Sequence, residues 1–532
     1  MMDRSNLLEA LADNIKIDPD KCVQCGICID TCILDNLRMK LAPCRQACPL
    51  EVNCQGYIQL ILRGSDEAAL EMVERELPFP AILGRLCSAQ CEQNCHRKEI
   101  DGEAVAIRYL KRYVSDLAES GEPRVPEKDP PSGKHCAVVG AGPAGMLAAF
   151  DLLVKGHTVT IYDAEDEPGG MLRWAVPTFR LPEKILAAEW AKLTALGVKF
   201  VGGKALGRDI NRKELIENHD AVILAIGCPR PKHLGIDGEK AKGVIHALDL
   251  LRQIRGGRPP EIGKNIVVIG GGEVALDAAQ TSLRLGAEKV LIISLESRDI
   301  MPACKEALML AESEGVVLDG SWGPTRILTE NGRATHVELQ QCLAVFDSLG
   351  RFAPRFDDCS LKTEPADTVI IAIGQERDPD WVENADSCDP MTLQSDEPSV
   401  FWAGDAVGGS STIVEAMASG RQAAISVDRY LKGEHLKYNR AYAGPFVTEF
   451  DIDTRRGSQA KRVVPGIDIF KAPGDFKEIE QPYHEAQARM EAQRCYSCGN
   501  PFGRYRTCWF CLPCEVECPE EALWVEVPYL LR

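Results

Sequence analysis

The stretch that decides the fold is KHCAVVGAGPAGMLAAFDLLVKGHTVTIYDA, residues 134–164. It contains an apolar strand, a turn with Gly140, Gly142 and Gly145, an Ala/Leu-rich helix and a second strand that ends at Asp163. Glycines in such a turn let a pyrophosphate approach the free amides at the helix N-terminus. A carboxylate after the second strand can accept a hydrogen bond from a ribose hydroxyl. The stretch therefore predicts a dinucleotide-binding βαβ unit.

The pattern occurs again in KNIVVIGGGEVALDAAQTSLRLGAEKVLIIS, residues 264–294. Gly270 and Gly272 occupy the first two glycine positions, and Ala275 takes the third, as the pattern allows. Two such units in one chain predict two nucleotide-binding domains.

Three further stretches complete these two domains. DAVILAIG (220–227) and DTVIIAIG (367–374) are apolar strands that end in glycine, and we interpret them as crossings between the two folds. VFWAGDAVGGSSTIVEAMASGRQAA (400–424) places Gly404 and Asp405 directly before a helix. Such an element can present a carboxylate to a ribityl hydroxyl, so we expect it to return the chain to the first fold.

Length and composition limit the class of protein. At 532 residues the chain is too long for one core, and 45% hydrophobic with 26% charged residues is ordinary for a globular protein. A net charge of -18 argues against nucleic acid or an anionic membrane as partner. The first residues lack the apolar stretch of a secretory signal, and no later run approaches the ~20 apolar residues of a membrane span. We therefore expect a cytoplasmic protein.

The 22 cysteines are unevenly distributed. In a reducing compartment they favour metal binding over disulfides. Ten lie between Cys22 and Cys95 and six between Cys495 and Cys518. The six scattered ones are predicted to be buried small apolar side chains: Cys136, Cys228, Cys304, Cys342, Cys359 and Cys388.

Two cysteine runs have the spacing of a bacterial ferredoxin, C-x2-C-x2-C-x3-C. The first, KCVQCGICIDTC, covers 21–32, and the second, CWFCLPCEVECP, covers 508–519. In such a run three thiolates hold one [4Fe-4S] cube and the fourth reaches another cube. The predicted ligands are Cys22, Cys25, Cys28, Cys32, Cys508, Cys511, Cys514 and Cys518.

A third set of cysteines lies in a segment of helical periodicity and has spacings of three residues within APCRQACP (42–49) and CSAQCEQNC (87–95). Zinc is the alternative ligand, but zinc sites favour paired CxxC knuckles, whereas this spacing suits a cube. The candidates are Cys44, Cys48, Cys87, Cys91 and Cys95, and RCYSCGN (494–500) adds Cys495 and Cys498.

The domain order, with GGMLRWAVPTFRLP (169–182), GGGEVALDAA (270–279) and Met-Pro at 301–302, resembles the small subunit of bacterial glutamate synthase and its iron-sulfur relatives. These include the N-terminal half of dihydropyrimidine dehydrogenase and the large subunit of NADH-dependent ferredoxin:NADP oxidoreductase. The resemblance covers roughly residues 40 to 435. It implies an NAD(P)H:acceptor oxidoreductase with FAD and about three to four [4Fe-4S] clusters, acting with a ferredoxin or another redox subunit, in a complex or homo-oligomer.

The resemblance also implies cofactor contacts. For FAD these are Gly140, Gly142, Gly145, Asp163, Gly170, Met171, Leu172, Gly227, Gly404, Asp405 and Thr412. For the nicotinamide nucleotide they are Gly270, Gly272, Glu273, Val274, Glu296 and Arg298. The CxxC that precedes the position of Cys44 in the family is absent here, so the helical segment holds one cube or two. Cys54 and the earlier cysteines are candidate substitutes.

We therefore expect an α/β protein with two Rossmann-like domains, the nicotinamide domain inserted in the FAD domain, an N-terminal helical iron-sulfur domain and ferredoxin-like motifs at both ends. The expected boundaries are 1–40 (ferredoxin-like), 41–130 (helical), 131–260 (FAD, first part), 261–368 (nicotinamide), 369–435 (FAD, second part) and 436–532 (linker and cluster segment).

The expected chemistry has rivals. No cysteine pair lies between Asp163 and Arg180, so the dithiol mechanism of disulfide reductases lacks its nucleophiles. We find no catalytic side-chain constellation, since the flavin would carry the chemistry. A true glutamate synthase small subunit is disfavoured by the terminal ferredoxin motifs. A non-catalytic wiring subunit of a larger complex, such as an electron-bifurcating one, stays open.

The residues after the second strand of the nicotinamide domain favour NAD(H) over NADP(H). NADP-dependent relatives carry two arginines there, but this chain has Leu295 and Glu296. A carboxylate accepts a 2′-hydroxyl and repels a 2′-phosphate. Arg298 could partly restore phosphate binding.

The two ferredoxin-like runs suggest that the chain ends meet, because each half of a two-cluster ferredoxin supplies one ligand to the other half. The predicted cubes are Cys22, Cys25, Cys28 with Cys518, and Cys508, Cys511, Cys514 with Cys32. Alternatively, each end closes its own site, with Cys495 or Cys498 supplying the missing thiolate, or the N-terminal run pairs with Cys44 to Cys54.

Overall fold

The computed structural model describes residues 14–117, 122–378, 388–440, 444–455, 457–504, 508 and 510–526. The chain divides into two compact units. The cysteine-rich unit contains Met1–Glu122, Lys437–Gly466 and Pro482–Arg532, and the two-sheet unit contains Pro123–Leu436 and Ile467–Gln481. The C-terminal tail therefore contributes to both units, although 436–532 was expected to form one segment.

The described strands are β1 (Ile15–Ile17), β2 (Leu37–Lys40), β3 (His135–Val139), β4 (Thr158–Tyr162), β5 (Lys199–Val201), β6 (Ala221–Leu224), β7 (Arg230–Pro231), β8 (Val244–His246), β9 (Asn265–Ile269), β10 (Lys289–Ser294), β11 (Val317–Gly320), β12 (Trp322–Glu330), β13 (Arg333–Phe346), β14 (Phe352–Pro365), β15 (Thr368–Ile371), β16 (Gln375–Glu376), β17 (Val400–Trp402), β18 (Phe446–Val447), β19 (Pro501–Gly503) and β20 (Leu523–Val525).

The described α-helices are α1 (Ile27–Asp30), α2 (Pro43–Gln46), α3 (Cys54–Arg63), α4 (Asp66–Glu76), α5 (Pro80–Leu86), α6 (Gln90–Gln93), α7 (His96–Asp101), α8 (Ile107–Asp116), α9 (Pro143–Val154), α10 (Met171–Trp174), α11 (Glu183–Ala195), α12 (Arg212–Asn218), α13 (Ala247–Arg255), α14 (Glu273–Arg284), α15 (Lys305–Ser313), α16 (Asp405–Gly408), α17 (Ile413–Lys432), α18 (Glu485–Ala492) and α19 (Pro513–Val516). Among the described helices, none is both long and apolar enough to cross a membrane.

The first sheet of the two-sheet unit is parallel, in the order β17-β6-β3-β4-β5. Its central strands are buried, with Ala137, Val222 and Val400 fully enclosed. Because helices cover both faces of such a sheet, its strands are continuous apolar runs. Helix α17 begins with a capping box between Thr412 and Glu415 and packs against α9.

The second sheet is also parallel, in the order β11-β10-β9-β15-β8. It includes β8 and is covered by α13, so this fold begins before residue 261, the expected boundary. Of the two stretches interpreted as crossings, β6 is a strand of the first sheet and β15 a strand of the second. A three-stranded antiparallel sheet, β12-β13-β14, separates β11 from β15.

The tail segment Ile467–Gln481 is tied to the two-sheet unit by a buried ion pair. The two terminal guanidinium nitrogens of Arg284 each donate to one carboxylate oxygen of Glu314 at 2.8 Å. Both side chains are almost fully buried. Glu314 also accepts a hydrogen bond from the amide of Phe470, whose ring lies against Arg284. The amide of Ile479 donates to the carbonyl of Phe179. Nη1 of Arg284 also donates to the carbonyl of Gln280 at 3.0 Å, whereas the Nε of Arg284 is buried without a hydrogen-bond partner among the described residues.

The cysteine-rich unit combines a helical part with two small sheets. Asn53 caps the N-terminus of helix α3 with a side chain that accepts from the amide of Gly56, and Gly64, in the left-handed conformation, caps its C-terminus. The first sheet pairs β1 with β20 antiparallel, and the second has the order β18-β2-β19. Both sheets therefore join residues from opposite ends of the chain.

Candidate cofactor and cluster sites

The turn after β3 depends on glycine for steric reasons. Gly140 has φ +108°, and an added Cβ would lie 2.2 Å from the carbonyl oxygen of Ala225. A Cβ on Gly145 would lie 1.9 Å from the carbonyl oxygen of Gly140. Gly140 therefore lets the turn pass close to the end of β6, and Gly145 lets helix α9 pack closely against the turn.

A second glycine-rich backbone lies beside this turn. Gly170 has φ +53°, and an added Cβ would lie 2.7 Å from the Cα of Gly142. The amide of Gly169 donates to the carbonyl of Ala141 at 3.0 Å. A Cβ on Gly142 itself would meet only Gly170, at 3.9 Å, so the turn stays open on that side at the N-terminus of α9. The arrangement fits a pyrophosphate, as FAD requires.

Asp163 lies at the carboxyl end of β4, next to the glycine turn. Its carboxylate accepts hydrogen bonds from the amides of Ala141 at 2.6 Å and Glu165 at 2.9 Å. Burial raises the pKa of the Asp163 carboxyl, and the two amides offset part of that rise. Asp163 therefore holds the turn in place, and each of its oxygens retains a lone pair for a ribose hydroxyl.

The remaining predicted FAD residues belong to the same region of the first sheet. Gly227 follows β6 and Gly404 follows β17, and the two strands are neighbours. The thiol of Cys228 donates to the carbonyl of Asp405 at 3.4 Å, which joins the two loops. The Asp405 carboxylate accepts from the amide and hydroxyl of Ser411. These loops meet at the carboxyl ends of the strands, where open α/β sheets bind ligands.

Three other predicted FAD residues have structural roles that the sequence did not indicate. Leu172 is fully buried and packs inside the unit, while Met171 begins α10. Thr412 caps α17, since its hydroxyl accepts from the amide of Glu415. Their direct contact with a flavin stays a prediction.

The second nucleotide site repeats the geometry of the first. Gly270 has φ +134°, and an added Cβ would lie 2.2 Å from the carbonyl oxygen of Ala372. A Cβ on Gly272 would meet open space, which leaves room for a pyrophosphate at the N-terminus of α14. Glu273 and Val274 begin this helix, and Glu273 accepts from the amide of Cys304 at 3.0 Å.

Sequence reasoning did not identify Arg180 as a residue of this site. Its Nη1 lies 2.9 Å from both carboxylate oxygens of Asp277 and 3.2 Å from Glu273. Burial raises the pKa of Asp277 to about 6, although Arg180 opposes the rise. Arg180 belongs to the 169–182 stretch, so this pair links the loop beside the first site to α14 of the second. The signal for Arg180 in the sequence is its place in FRLP, the last four residues of that stretch.

The residues after β10 form a local network. The hydroxyl of Ser294 donates to the carboxylate of Glu296 and accepts from its amide. Arg298 is paired with Glu312, at 2.7 Å from Nη2 and 3.2 Å from Nε. The guanidinium expected to favour a phosphate therefore already has a carboxylate partner.

Strands near the two ends of the chain meet within one molecule. Strand β1 pairs with β20, with Ile15 opposite Val525. The side chain of Asn14 accepts from the amide of Cys508 at 2.8 Å and donates to its carbonyl at 3.4 Å. Both ferredoxin-like runs contribute to one buried cluster that contains Cys28, Cys514 and Leu523. The expectation that the two ends pack together is confirmed.

The thiols of the two runs are interleaved. Burial raises the pKa of Cys22 to about 11 and also raises that of Cys25, and the thiolate of Cys518 adds to both increases. Burial raises the pKa of Cys514 to about 11, with added effects from Cys508, Cys32 and Cys511. Cys518 thus lies near Cys22, Cys25 and Cys28, while Cys32 and Cys508 lie near Cys514, in the buried cluster that both runs share.

In the helical part, a cavity is lined by the thiols of Cys44, Cys95, Cys495 and Cys498. Two contacts hold the 494–500 segment there: Arg97 donates to the carbonyl of Arg494, and Gln55 donates to the hydroxyl of Ser497 at 2.6 Å. Four thiols around an otherwise largely apolar cavity are a donor set that suits a [4Fe-4S] cube. Cys495 and Cys498 thus line the same cavity as Cys44, although the CxxC that precedes this position in the family is absent from the sequence.

The other cysteines lie in different surroundings. Cys48, Cys87 and Cys91 lie near Cys54 and near the buried Lys111, for which the sequence carries no signal. Of the six scattered cysteines, Cys136, Cys228 and Cys342 are buried, and Cys304 and Cys359 are exposed, which differs from the burial expected for them.

Two parts of the chain match known protein families. Residues 134–420 match the family described as pyridine nucleotide-disulphide oxidoreductase. Residues 9–122 match the family described as dihydropyrimidine dehydrogenase domain II, 4Fe-4S cluster.

Several characterised proteins are similar over most of the chain. The NADP(+)-dependent formate dehydrogenase subunit beta of Moorella thermoacetica is 34% identical over 504 residues, which cover 86% of this chain and 70% of that protein. The NADPH-Fe(3+) oxidoreductase subunit beta of Geobacter sulfurreducens is 32% identical, with 86% and 75% covered. The glutamate synthase [NADPH] small chain of Azospirillum brasilense is 31% identical, with 78% and 89% covered.

Among solved structures, FprA of Mycobacterium tuberculosis in complex with NADPH superimposes with a TM-score of 0.51 at 20% identity, covering 57% of this chain and 85% of that one. This likeness concerns the fold alone. With the family matches, the glycine-lined nucleotide sites and the grouped thiols, it leads to one conclusion. The chain belongs to the pyridine nucleotide-disulphide oxidoreductases, among the iron-sulfur flavoproteins related to the glutamate synthase small subunit, and is an FAD-dependent NAD(P)H oxidoreductase with an iron-sulfur domain.

Proposed function

We propose that the protein passes electrons between NADH and a one-electron redox partner by way of FAD and [4Fe-4S] clusters. The observation that carries this proposal is the presence, in one chain, of two glycine-lined nucleotide turns and several groups of four thiols. When bound, a flavin exchanges a hydride with a nicotinamide and single electrons with a cube.

The residues of the first site would bind and orient FAD. The paired backbones at Gly142 and Gly170 admit the pyrophosphate, and the free amides of α9 face its negative charge. Asp163 would accept a ribose hydroxyl, and Asp405 a ribityl hydroxyl. Both carboxylates are held by backbone amides and are therefore preorganised for these bonds.

For the second site we propose NAD(H) in preference to NADP(H). The Glu296 carboxylate follows β10, where the adenosine ribose is expected, and it would repel a 2′-phosphate. The pairing of Arg298 with Glu312 reduces the positive charge available to such a phosphate. The names of the similar proteins from Moorella and Geobacter specify NADP, so this choice needs a direct test.

We propose three cubes from the thiol groups described above. Two form a ferredoxin-like pair built from both chain ends, with Cys518 completing the N-terminal group and Cys32 completing the C-terminal group. The third is held by Cys44, Cys95, Cys495 and Cys498. The support is the buried cluster that both runs share and the cavity lined by the other four cysteines, because a cube requires four thiols close together.

The proposed partner is a ferredoxin or another redox subunit, in the cytoplasm. Two of the similar proteins are named as beta subunits, which favours a role within a complex. A non-catalytic wiring subunit is the competing proposal, with electrons entering from another subunit.

The test is a diaphorase assay on the isolated, anaerobically reconstituted chain, with a viologen dye as acceptor. We expect turnover with NADH and release of stoichiometric FAD on denaturation. Turnover that is absent with both NADH and NADPH, in a preparation that retains FAD and iron, would support the wiring role instead. Release of FMN, or of no flavin, would refute the FAD assignment.

A further inference from the structure

Two histidines and a glutamate meet where the chain crosses from the first sheet to the second. His233 follows β7, Glu239 lies in the loop after it, and His246 ends β8 at the N-cap position of α13. Ligand atoms of the three side chains all lie within 4.8 Å of one another. None of the three belongs to the predicted nucleotide or cluster residues, so their convergence needs an explanation of its own.

The Glu239 carboxylate is fixed by the loop that carries it. One oxygen accepts from the amide of Leu234 at 3.0 Å, and the other accepts from the amide of Gly235 at 2.7 Å. The side chain is only 10% exposed, and the two amides favour its anionic form. Since each oxygen accepts one amide, each retains a lone pair for a metal ion.

This loop is anchored on the antiparallel sheet, and His246 is anchored separately. The amide of Ile327, in β12, donates to the carbonyl of Asp237 at 2.8 Å. Gly238 has φ +85°, and an added Cβ would lie 2.2 Å from the carbonyl oxygen of Ile327, so the loop packs directly on this strand. The pairing of β8 with β15 places His246 opposite Ile371. The loop and the strand therefore hold their side chains in position before any ion binds.

The two imidazoles lie edge to face beside the carboxylate. Nδ1 of His233 lies 3.1 Å from Oε1 of Glu239, and the centroids of the two histidine rings are 4.8 Å apart at an angle of 86°. Nδ1 of His246 is buried and has no hydrogen-bond partner among the described residues. A buried polar atom without a partner is costly, and the bond between His233 and Glu239 does not relieve that cost. An ion that Nδ1 of His246 also ligates would relieve it.

We propose that His233, Glu239 and His246 bind a divalent transition-metal ion of the zinc class. Two imidazole nitrogens and one carboxylate are a donor set typical of Zn²⁺, whereas Mg²⁺ and Ca²⁺ prefer oxygen ligands. Ligands of a tetrahedral zinc ion lie about 3.4 Å apart, so the side chains need to approach one another by at most about 1.4 Å. The His233 side chain is 66% exposed, which gives an ion a path from solvent.

The bound ion would link the crossing loop to the end of β8. It would stabilise the folded chain, because the three ligands come together only when the loop and the strand are packed. The site is independent of the proposed electron transfer, so zinc binding and electron transfer can each fail without the other.

The first test is equilibrium dialysis of the full, cluster-loaded chain against Zn²⁺ under anaerobic conditions, followed by zinc X-ray absorption. We expect one zinc ion with nitrogen and oxygen ligands at about 2.0–2.1 Å and scattering from imidazole rings. His233→Ala should weaken zinc binding roughly tenfold or more. His336→Ala is the control, because His336 is also exposed but lies on β13, and it should bind zinc like the original protein. A zinc shell of sulfur alone at about 2.3 Å, or undiminished binding by His233→Ala, would overturn the proposal.

The second test is thermal unfolding with and without Zn²⁺. At a zinc concentration of about a hundred times the Kd, the unfolding midpoint should rise by a few degrees, because the ion binds the folded chain. The rise should persist in His336→Ala and disappear in His233→Ala and His246→Gln. Without zinc, the circular dichroism spectrum and midpoint of His233→Ala should match those of the original protein, since its side chain is largely exposed. An equal rise with zinc in His233→Ala would show that the ion binds elsewhere and would overturn the site.

Discussion

The two units of this protein build their sites in opposite ways. In the two-sheet unit, each nucleotide turn and its carboxylate come from one continuous stretch, as with Gly140 and Asp163. In the cysteine-rich unit, one buried cluster combines residues of both ferredoxin-like runs, such as Cys28 and Cys514, although nearly the whole chain separates them. Local sequence is therefore a reliable guide to the first kind of site, while the second kind depends on how the chain ends pack.

The strongest challenge to this comparison is removal of one chain end. Deleting residues 1–35 removes four proposed ligands, and because the ferredoxin-like pair is shared, both terminal cubes should disappear. We expect a loss of about eight iron atoms, measured by iron analysis and EPR.

A matched pair of point variants refines that experiment. Cys518→Ser should damage the cube that also uses Cys22, and Cys32→Ser the cube that also uses Cys514. A C-terminal EPR signal that survives the deletion unchanged would contradict the shared arrangement.

A substitution in the two-sheet unit tests the locally encoded site. Gly170→Ala would bring a Cβ to 2.7 Å from the Cα of Gly142 and strain a positive φ, so we expect the purified protein to lose most of its FAD. The control is Gly257→Ala, which also has a positive φ, of +70°, but faces open space. Both variants should lose about 1 kcal/mol of stability from the backbone conformation. Equal flavin content in the two variants would argue against the proposed pyrophosphate cradle.

The preference of the second site for NADH or NADPH can be tested at the residues after β10. Glu296→Gln removes the charge expected to repel a 2′-phosphate, and the ratio of kcat/KM for NADPH to that for NADH should rise roughly tenfold, about 1.4 kcal/mol. Arg298→Gln serves as the control and should change the ratio less, since its guanidinium is paired with Glu312. Higher kcat/KM with NADPH than with NADH in the unaltered protein would refute the NAD(H) assignment.

The smallest expected effect concerns the pH dependence of the Arg180–Asp277 pair. Because the pKa of folded Asp277 is about 6, above its ordinary value of 3.8, protonation favours the folded state. Its contribution to stability is therefore present at low pH and lost as the pH rises through 6.

Comparison of the original protein with Asp277→Asn measures this contribution. The difference in unfolding free energy between the two should shift by about 1 kcal/mol in favour of the original protein as the pH falls from 7 to 5. Asp209→Asn is the control, because the pKa of this exposed carboxyl is lowered by its bond to Arg208. A difference for Asp277→Asn that does not change with pH would contradict the buried state of this carboxyl.

Several errors of the sequence interpretation have a common origin. The boundary at residue 261 was too late because β8 is only three residues long and has no motif, and its membership of the second sheet depends on pairing with β15. Arg180 lies in a recognised motif, but its ion pair with Asp277 forms only when two segments far apart in sequence are packed together.

The amino-acid order alone determines the two dinucleotide folds, the cysteine runs and the type of chemistry. Turns, strand periodicity and ligand spacing depend on neighbouring residues and can therefore be read from the sequence. The grouping of thiols could not be derived in this way. Cys495 and Cys498 reach Cys44 and Cys95, and Lys111 reaches Cys48 and Cys54, only through long-range packing. A cube requires four thiols close together in space but places no limit on their separation along the chain, so the folded structure decides which thiols share one.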